Sequence, residues 1–455
     1  MDSLFRDFGE ATSKRAGYQL ASTFTPEAPS SDPDRLLKIW RSTNYHEARN
    51  LIKRNIQRAT SSTGLSRSTV EGWVEVYYLF WKAIGEILTV TGQLGDNDTT
   101  SWTKVFETWR DLTTAITRGY TNHGFEAWSI PCVYVIGKYL RIFAIKADDE
   151  RSKNANDQGA SFQDDFDPET EKHQHLEDCA RQLNRIFTLC LSDRTPDLAE
   201  SRKWGIYGVI NLLFKTYFRL NSASLSRNVL KALNAYQGDM PALDSFPLSQ
   251  QVTFKYYQGV LFFLEENYTE AEKHLTAAWM LCHKDAKRNQ ELILTYLIPC
   301  HLLTTHTLPT QELLRPYPRL QALFGPLSQC IKKGQLHNFD LALQEGEEEF
   351  VKRRIYLTLE RGRDIALRNL LRKVFIAGGF EEAKEPGASP MRRTRVPVAE
   401  FAAAISLGSQ ERIDGDEVEC LLANMIYKNL MKGYIHRERG IVVLSKAGAF
   451  PGTGV

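Results

Sequence analysis

The chain has 455 residues, with 57 Lys and Arg against 55 Asp and Glu and a formal net charge of +2. Its 42% hydrophobic and 25% charged residues exclude wholesale disorder, and so small a charge excludes a global field steering the molecule to nucleic acid. The length suits two or three modules, each able to bury a core.

Residues 1–32 are rich in Ser, Thr and Pro, end in PEAPSSDPD, and read as a loose leader rather than a secretory signal, because acids interrupt any apolar run. Residues 33–146 read as helical hairpins. Asp34 can cap a helix bearing Leu36, Leu37, Ile39 and Trp40, and another covers about 45–60. The stretch 70–91 places Val74, Tyr77, Tyr78, Trp81, Ile84 and Leu88 near 3.6-residue spacing. After the loop GQLGDNDTTS, one helix runs through Arg118 and an apolar one covers about 126–146. The most apolar windows, 130–145 and 292–303, are broken by Lys138 and Arg141 or by Pro299 and His301. Both fall short of the about 20 residues of a membrane span, so a soluble intracellular protein without a membrane partner is expected. Residues 147–172, ADDERSKNANDQGASFQDDFDPETEK, offer little to a core and read as a disordered acidic insertion.

Helices resume over 173–377 with few interruptions. In YYQGVLFFLEENYTEAEKHLTAAW, Gly259, Phe262, Tyr268, Ala271, Leu275 and Ala278 fall at tetratricopeptide-like spacing. Gly259 and Ala271 let two helices approach while the larger side chains fill the gap, and a single clear copy points to an irregular helical solenoid. Residues 378–393 form a Gly/Pro/Ser-rich linker with a basic end. Residues 394–447 then give a short extended piece, a helix over about 399–407, and a helix over about 417–431 that Gly433 would stop. Tyr434-Ile435-His436 and Ile441-Val442-Val443-Leu444 flank a turn as a hairpin, which completes the order of a winged helix. Residues 448–455 read as a tail. The expected fold class is mostly α, an irregular TPR-like helical solenoid followed by a C-terminal winged helix.

That architecture resembles the PCI family. NLLFKTYFRLN (211–221), FPLSQQVTFKYYQG (246–259), LTYLIPCHLL (294–303), VKRRIYLTLERGRDIALRNLLRKVF (351–375), EVECLLANMIYKNLMKGYI (417–435) and VVLSK (442–446) are similar to one branch of it. That branch holds subunit twelve of the COP-nine signalosome and the PCI subunit of the TREX-two mRNA-export complex; the opening 24 residues look closer to the subunit-twelve group. The resemblance implies a non-catalytic scaffold in transcription-coupled mRNA processing or export, in nucleus and cytoplasm. It also implies a second PCI protein as partner and a small, acidic, disordered protein shared with the proteasome lid. The alternatives are an accessory subunit of the signalosome, regulating deneddylation, and a stand-alone nucleic-acid-binding regulator.

The residues themselves offer no catalytic constellation, and no metal or cofactor is expected. His173 and His175 form an H-x-H, but no Ser and Asp follow at the spacing a zinc isopeptidase needs. The seven cysteines form no C-x-x-C pair and read as reduced core thiols. Phosphate-cradling and nucleophile-elbow motifs are missing as well. Basic residues say more. Lys352, Arg353, Arg354, Arg361, Arg363, Arg368, Arg372 and Lys373 crowd one helix, with Arg361 and Arg368 able to tie it to the winged helix. Arg392, Arg393, Arg395, Lys428, Lys432, Arg437 and Arg439 are the candidate contacts to an RNA or DNA backbone, which Lys and Arg bind by displacing counterions. The same residues also fit a solvated face balanced by Glu345, Glu347, Glu348 and Glu349. For the protein partner the candidates are Tyr427, Tyr434, Ile435, His436, Ile441, Val442 and Val443, with Leu421, Met425 and Ile426 in the core. The aromatics over 204–268 are too many for one helix face, so some are expected to face outward.

Overall fold

Aromatic side chains at helical spacing build the first unit. Helix α5 (Arg67–Val90) buries Trp73, Tyr77, Phe80 and Trp81, and it packs against α6 (Trp102–Asn122), whose Trp109 is fully buried. The computed structural model describes residues 1–61, 63–94, 101–157, 173–381, 392–446 and 448–452. The chain divides into two compact units, Met1–Tyr257 and Gln258–Val455. The division falls inside a helix, a boundary that neither Pro/Gly content nor charge marks.

The first unit corrects the reading of residues 1–32 as a loose leader. Helices α1 (Asp2–Ser13) and α2 (Gly17–Ser22) carry Leu4, Phe5, Phe8, Leu20 and Ala21, all buried, and Phe24 follows them into the core. Phe8 lies 5.3 Å from Tyr77 edge-to-face and Phe24 stacks on Tyr77 at 4.7 Å. The hydroxyls of Thr23 and Tyr77 share a hydrogen bond of 2.8 Å. After α3 (Arg35–Arg41) and α4 (Ala48–Ala59), α5 and α6 lead to α7 (Pro131–Asp157). The stretch Ala127–Lys153 is long and apolar enough to cross a bilayer by length and composition, more than the window 130–145 suggests, yet 61% of its most apolar part is buried in protein.

Helix α7 also overturns part of the acidic insertion. Residues 147–157 continue it, whereas 158–172 lie outside the described residues. Asp148 is the physical reason. Its buried carboxylate accepts from the backbone N–H of His175 and of Leu176, both at 3.0 Å, and lies 2.7 Å from His175 Nδ1, capping α8 (Gln174–Leu191). The H-x-H histidine is therefore a capping partner, its ring 5.2 Å from Phe106.

Between α8 and α9 (Ile206–Arg219), buried Asp193 collects four hydrogen bonds. Arg202 Nη2 (2.9 Å), the Arg202 backbone N–H (2.8 Å), Ser201 Oγ (2.8 Å) and Thr195 Oγ1 (3.0 Å) all donate to it. Burial opposes its charge, but these donors outweigh burial and hold the carboxyl well below the ordinary aspartate range. Its contribution to stability is therefore complete above the unfolded value near 4 and shrinks as pH falls below it. Asp193→Ala should cost about 3 kcal/mol at neutral pH, because it strands a half-buried guanidinium, and the loss should narrow in melts recorded below about pH 3. A pH-independent difference would assign the cost to packing instead.

Of the aromatics over 204–268, Tyr236 is exposed and the others are buried or half-buried, so the outward face expected of them is small. Tyr207, Phe214, Tyr217, Phe254 and Phe263 are buried, and Trp204, Phe218, Tyr256, Tyr257, Phe262 and Tyr268 are half-buried. Neighbouring elements absorb them: α10 (Ala223–Ala235) packs on α9, and Phe246 meets the rings of Trp204 and Tyr207.

The second unit takes the later part of α11 (Leu248–Leu264) and stacks helical pairs. Gly259 approaches so closely that a Cβ there would sit 2.7 Å from Leu275 Cγ of α12 (Tyr268–Leu281), which bears out the tetratricopeptide-like spacing. Helix α12 packs on α13 (Lys287–Thr304), with the single turn α14 (Gln311–Leu314) after it. Next, α15 (Pro318–Lys333), α16 (Leu336–Glu345) and α19 (Gly362–Ala377) pack together around the short α17 (Glu347–Lys352) and α18 (Tyr356–Glu360). A winged helix ends the chain, so the expected class, mostly α with that module last, is the class observed.

Candidate partner and nucleic-acid surface of the winged helix

Strand β1 (Arg395–Pro397) leads into α20 (Val398–Ser409) and α21 (Gly415–Tyr427), and β2 (Gly433–His436) and β3 (Ile441–Leu444) close the module. Asp414 begins α21, its carboxylate accepting the Gly415 N–H at 2.7 Å. Gly433 does not stop that helix. The chain turns at Asn429, whose φ of 56° is left-handed, and Gly433 is needed instead at the start of β2, where a Cβ would lie 2.4 Å from the Val443 carbonyl oxygen.

The sheet order is β1-β3-β2, all antiparallel, so β3 is central and β2 keeps one edge unpaired among the described residues. Register divides the candidate interface by face, since residues directly opposite share a side. Arg395, Val443 and Tyr434 form one row, and Pro397, Ile441 and His436 another. Both rows lie on the outer face, where Tyr434 is 60% exposed. Val396, Val442 and Ile435 form the inner row. Val442 is fully buried, which removes it from the candidate contacts: as the middle residue of the central strand it belongs to the core, and Ile435 beside it is half-buried. On α21, Val418, Leu422 and Met425 are buried, whereas Leu421 and Ile426 are only half-buried. Tyr427, at its end, is 89% exposed.

The seven candidate phosphate contacts separate in the same way. Lys428 lies 2.5 Å from Asp364 of α19, and Arg393 lies 2.9 Å from Glu400. Arg437 pairs with Asp416 and Glu419 at 2.9 and 3.4 Å, binding the wing's turn to the start of α21. Arg392 sits 4.6 Å over Phe380 and donates to the Ile376 carbonyl at 3.2 Å. Arg395, Lys432 and Arg439 are exposed and have no side-chain partner among the described residues. Of the seven, Arg395, Lys432 and Arg439 are therefore the ones whose side chains make no hydrogen bond or ion pair among the described residues, while the other four share theirs with neighbours.

The ties to the preceding helices also differ from expectation in one respect. Arg361 pairs with Glu266 at 2.7 Å and does not reach the winged helix. Arg368 does: its Nη2 donates to the carbonyls of Phe450 and Pro451 at 3.2 and 2.9 Å. Gly408 of α20 packs against Leu370 of α19, where a Cβ would meet Leu370 Cδ2 at 2.9 Å. The linker is closed at its base, Phe380 bridging Arg392 and the Arg393 N–H donating to Gly379 at 3.2 Å, while 382–391 lie outside the described residues. Residues 448–452, expected as tail, are docked, with Ala449 buried and its carbonyl accepting from Lys432 N–H at 2.7 Å. Exposed Leu407 (82%) and Phe380 extend the apolar surface, and neither was singled out from the sequence.

A model of the PCI domain matches residues 343–446, which span the last helices and the whole winged helix. The chain belongs to the PCI-domain family. A "Protein CSN12 homolog" of Neurospora crassa is 68% identical over the full length of both chains. The one of Schizosaccharomyces pombe is 36% identical over 85% of each, and "PCI domain-containing protein 2" of Danio rerio is 31% identical over 73% of this chain and 75% of its own. Within this PCI-domain chain the match begins before the winged helix, in keeping with the packing of α16 and α19 on α20. No group of three His, Cys, Asp or Glu among the described residues could hold a metal ion.

Proposed function

We propose that this protein is a non-catalytic scaffold subunit that docks a second PCI-domain protein through the outer face and free β2 edge of its winged helix. The observation carrying the reading is the combination, in one module, of a strand edge unpaired among the described residues, Tyr427 and Tyr434 standing in solvent, and exposed Arg395, Lys432 and Arg439. Exposed edges invite pairing with another chain, and Tyr with Arg are the side chains that anchor interfaces. The assembly would act in transcription-coupled mRNA processing or export, in nucleus and cytoplasm, with a small acidic protein as a further subunit. The three free cations would add sequence-independent contact to RNA or DNA phosphates. An accessory place beside the COP-nine signalosome is the second reading, favoured by the name of the full-length Neurospora crassa relative.

Affinity purification of the tagged protein with mass spectrometry separates the two readings. The first expects a PCI protein with RNA-processing factors; the second expects the signalosome subunits. Tyr427→Asp with Tyr434→Asp should reduce recovery of the PCI partner at least tenfold, the effect of about 1.4 kcal/mol, without lowering the melting temperature. Undiminished recovery from the double variant would remove the winged helix from the interface.

A further inference from the structure

We propose that the groove where α7 and α9 cross, in the first unit, is a phosphate site for a single-stranded RNA backbone, held by Lys138, Arg141 and Lys215. It stands apart from the winged-helix reading. The crossing is tight because α7 has Gly137 at the contact, where a Cβ would lie 3.0 Å from Leu212 Cδ1 and 3.1 Å from Leu183 Cδ2. Lys138 and Arg141 follow on α7, and Lys215 follows Leu212 on α9, so the close approach gathers three cations. Arg141 Nη2 donates to the Lys215 carbonyl at 3.0 Å, while its Nε is buried with no partner among the described residues. Lys138 lies 4.8 Å over the Tyr139 ring.

None of the three cations forms an ion pair with a described residue. Of the carboxylates around them, Asp149 faces Arg219 at 3.6 Å and Glu27 engages Tyr139. Desolvation lowers the pKa of both Arg141 and Lys215. At Arg141 the fields of Tyr257 and Cys179 oppose that fall and Arg219 adds to it, while at Lys215 both Arg141 and Lys138 add to it. Gathered cations with an orphaned guanidinium N–H suit an incoming oxyanion, which supplies the missing acceptor and relieves the repulsion. Tyr257 acts on Arg141, and its ring is 4.9 Å from that of Phe218. Both are half-buried, leaving part of an aromatic surface beside the cations. That favours a nucleic-acid strand, whose bases stack on rings, over an acidic peptide.

Fluorescence anisotropy of the full chain with a fluorescein-labelled oligouridylate tests this. Lys138→Glu with Lys215→Glu should weaken binding about tenfold and reduce the salt slope by about 1.4, near 0.7 for each single-strand phosphate that the protein no longer neutralises. Unchanged affinity and slope, with loss only in Lys432→Glu/Arg439→Glu, would overturn the assignment. So would polyglutamate matched in charge displacing the RNA as well as unlabelled oligouridylate does, since the groove would then take carboxylates. Lys138→Gln with Lys215→Gln keeps the test independent of folding. Relief of repulsion should leave that variant melting no lower than the parent, and a lower melting temperature would mean that the cations have internal partners.

Discussion

Phe8→Ala should destabilise the first unit by about 3–5 kcal/mol, the range for removing a phenyl ring from a packed core. Phe8 has no exposed surface and sits 5.7 Å from Trp73 and 5.3 Å from Tyr77, so the cavity opens between two rings that cannot both move to fill it. For a unit of this size each kcal/mol moves the midpoint by about 2–4 °C, which makes the expected fall about 10 °C. Deleting residues 1–24 should do more. It uncovers Trp73, Tyr77 and Phe80 together, and the product should aggregate on expression, as large exposed apolar patches do. Tyr18→Ala is the control, since Tyr18 is 63% exposed and its loss should shift the midpoint little. Differential scanning calorimetry reads all three. A Phe8→Ala midpoint within about 2 °C of the parent would mean that the N-terminal helices are held loosely after all.

The N-terminal helices escape a compositional reading for a physical reason. Leu4, Phe5, Phe8 and Ala11 already form a helical stripe, but PEAPSSDPD, a few residues later, draws the whole segment toward a linker. Local periodicity was the better signal, because burying two rings outweighs a polar surround. The family motifs, the Gly259–Leu275 approach and the winged-helix order were legible because each rests on short-range spacing. What could not be read were choices made by distant partners. Asp148 looks like part of an acidic run until His175 and Leu176 arrive to be capped. Lys428, Arg393 and Arg437 look like phosphate contacts until Asp364, Glu400 and Asp416 neutralise them. Val442 is indistinguishable from Val443 by composition, and only the register of a three-stranded sheet sends one inward and the other out.

Arg368→Ala should release the C-terminal segment and weaken the winged helix with it. Arg368 is 2% exposed and has no carboxylate partner among the described residues; its guanidinium donates to Asn369 Oδ1 at 2.7 Å and to the Phe450 and Pro451 carbonyls, and its Nε finds no partner among them. Burial, with the charge of Arg372 added, pulls its pKa down to about 10, so it still carries its charge at neutral pH. A buried charge held only by carbonyls stays because those carbonyls would otherwise lose their donor. Hydrogen bonds to a charged group contribute about 1.5–3 kcal/mol each, so losing the two to the tail should cost about 3 kcal/mol or more. The chain past β3 should then detach, taking with it the Ala449 carbonyl that accepts from Lys432 and the Phe450 ring packed 5.7 Å from Phe375. Arg368→Lys should not rescue it, because an ammonium cannot span two carbonyls as a planar fork does. Arg368→Met should recover the packing but not the docking, which separates cavity from hydrogen bonds. Carboxypeptidase trimming reads the docking directly: the alanine and methionine variants should both lose their last residues faster than the parent and melt earlier, the alanine variant by more because it also leaves a cavity. Equal trimming of all three would show that the tail is held by Phe450 and Ala449 alone, with Arg368 a buried charge serving the helix it stands on.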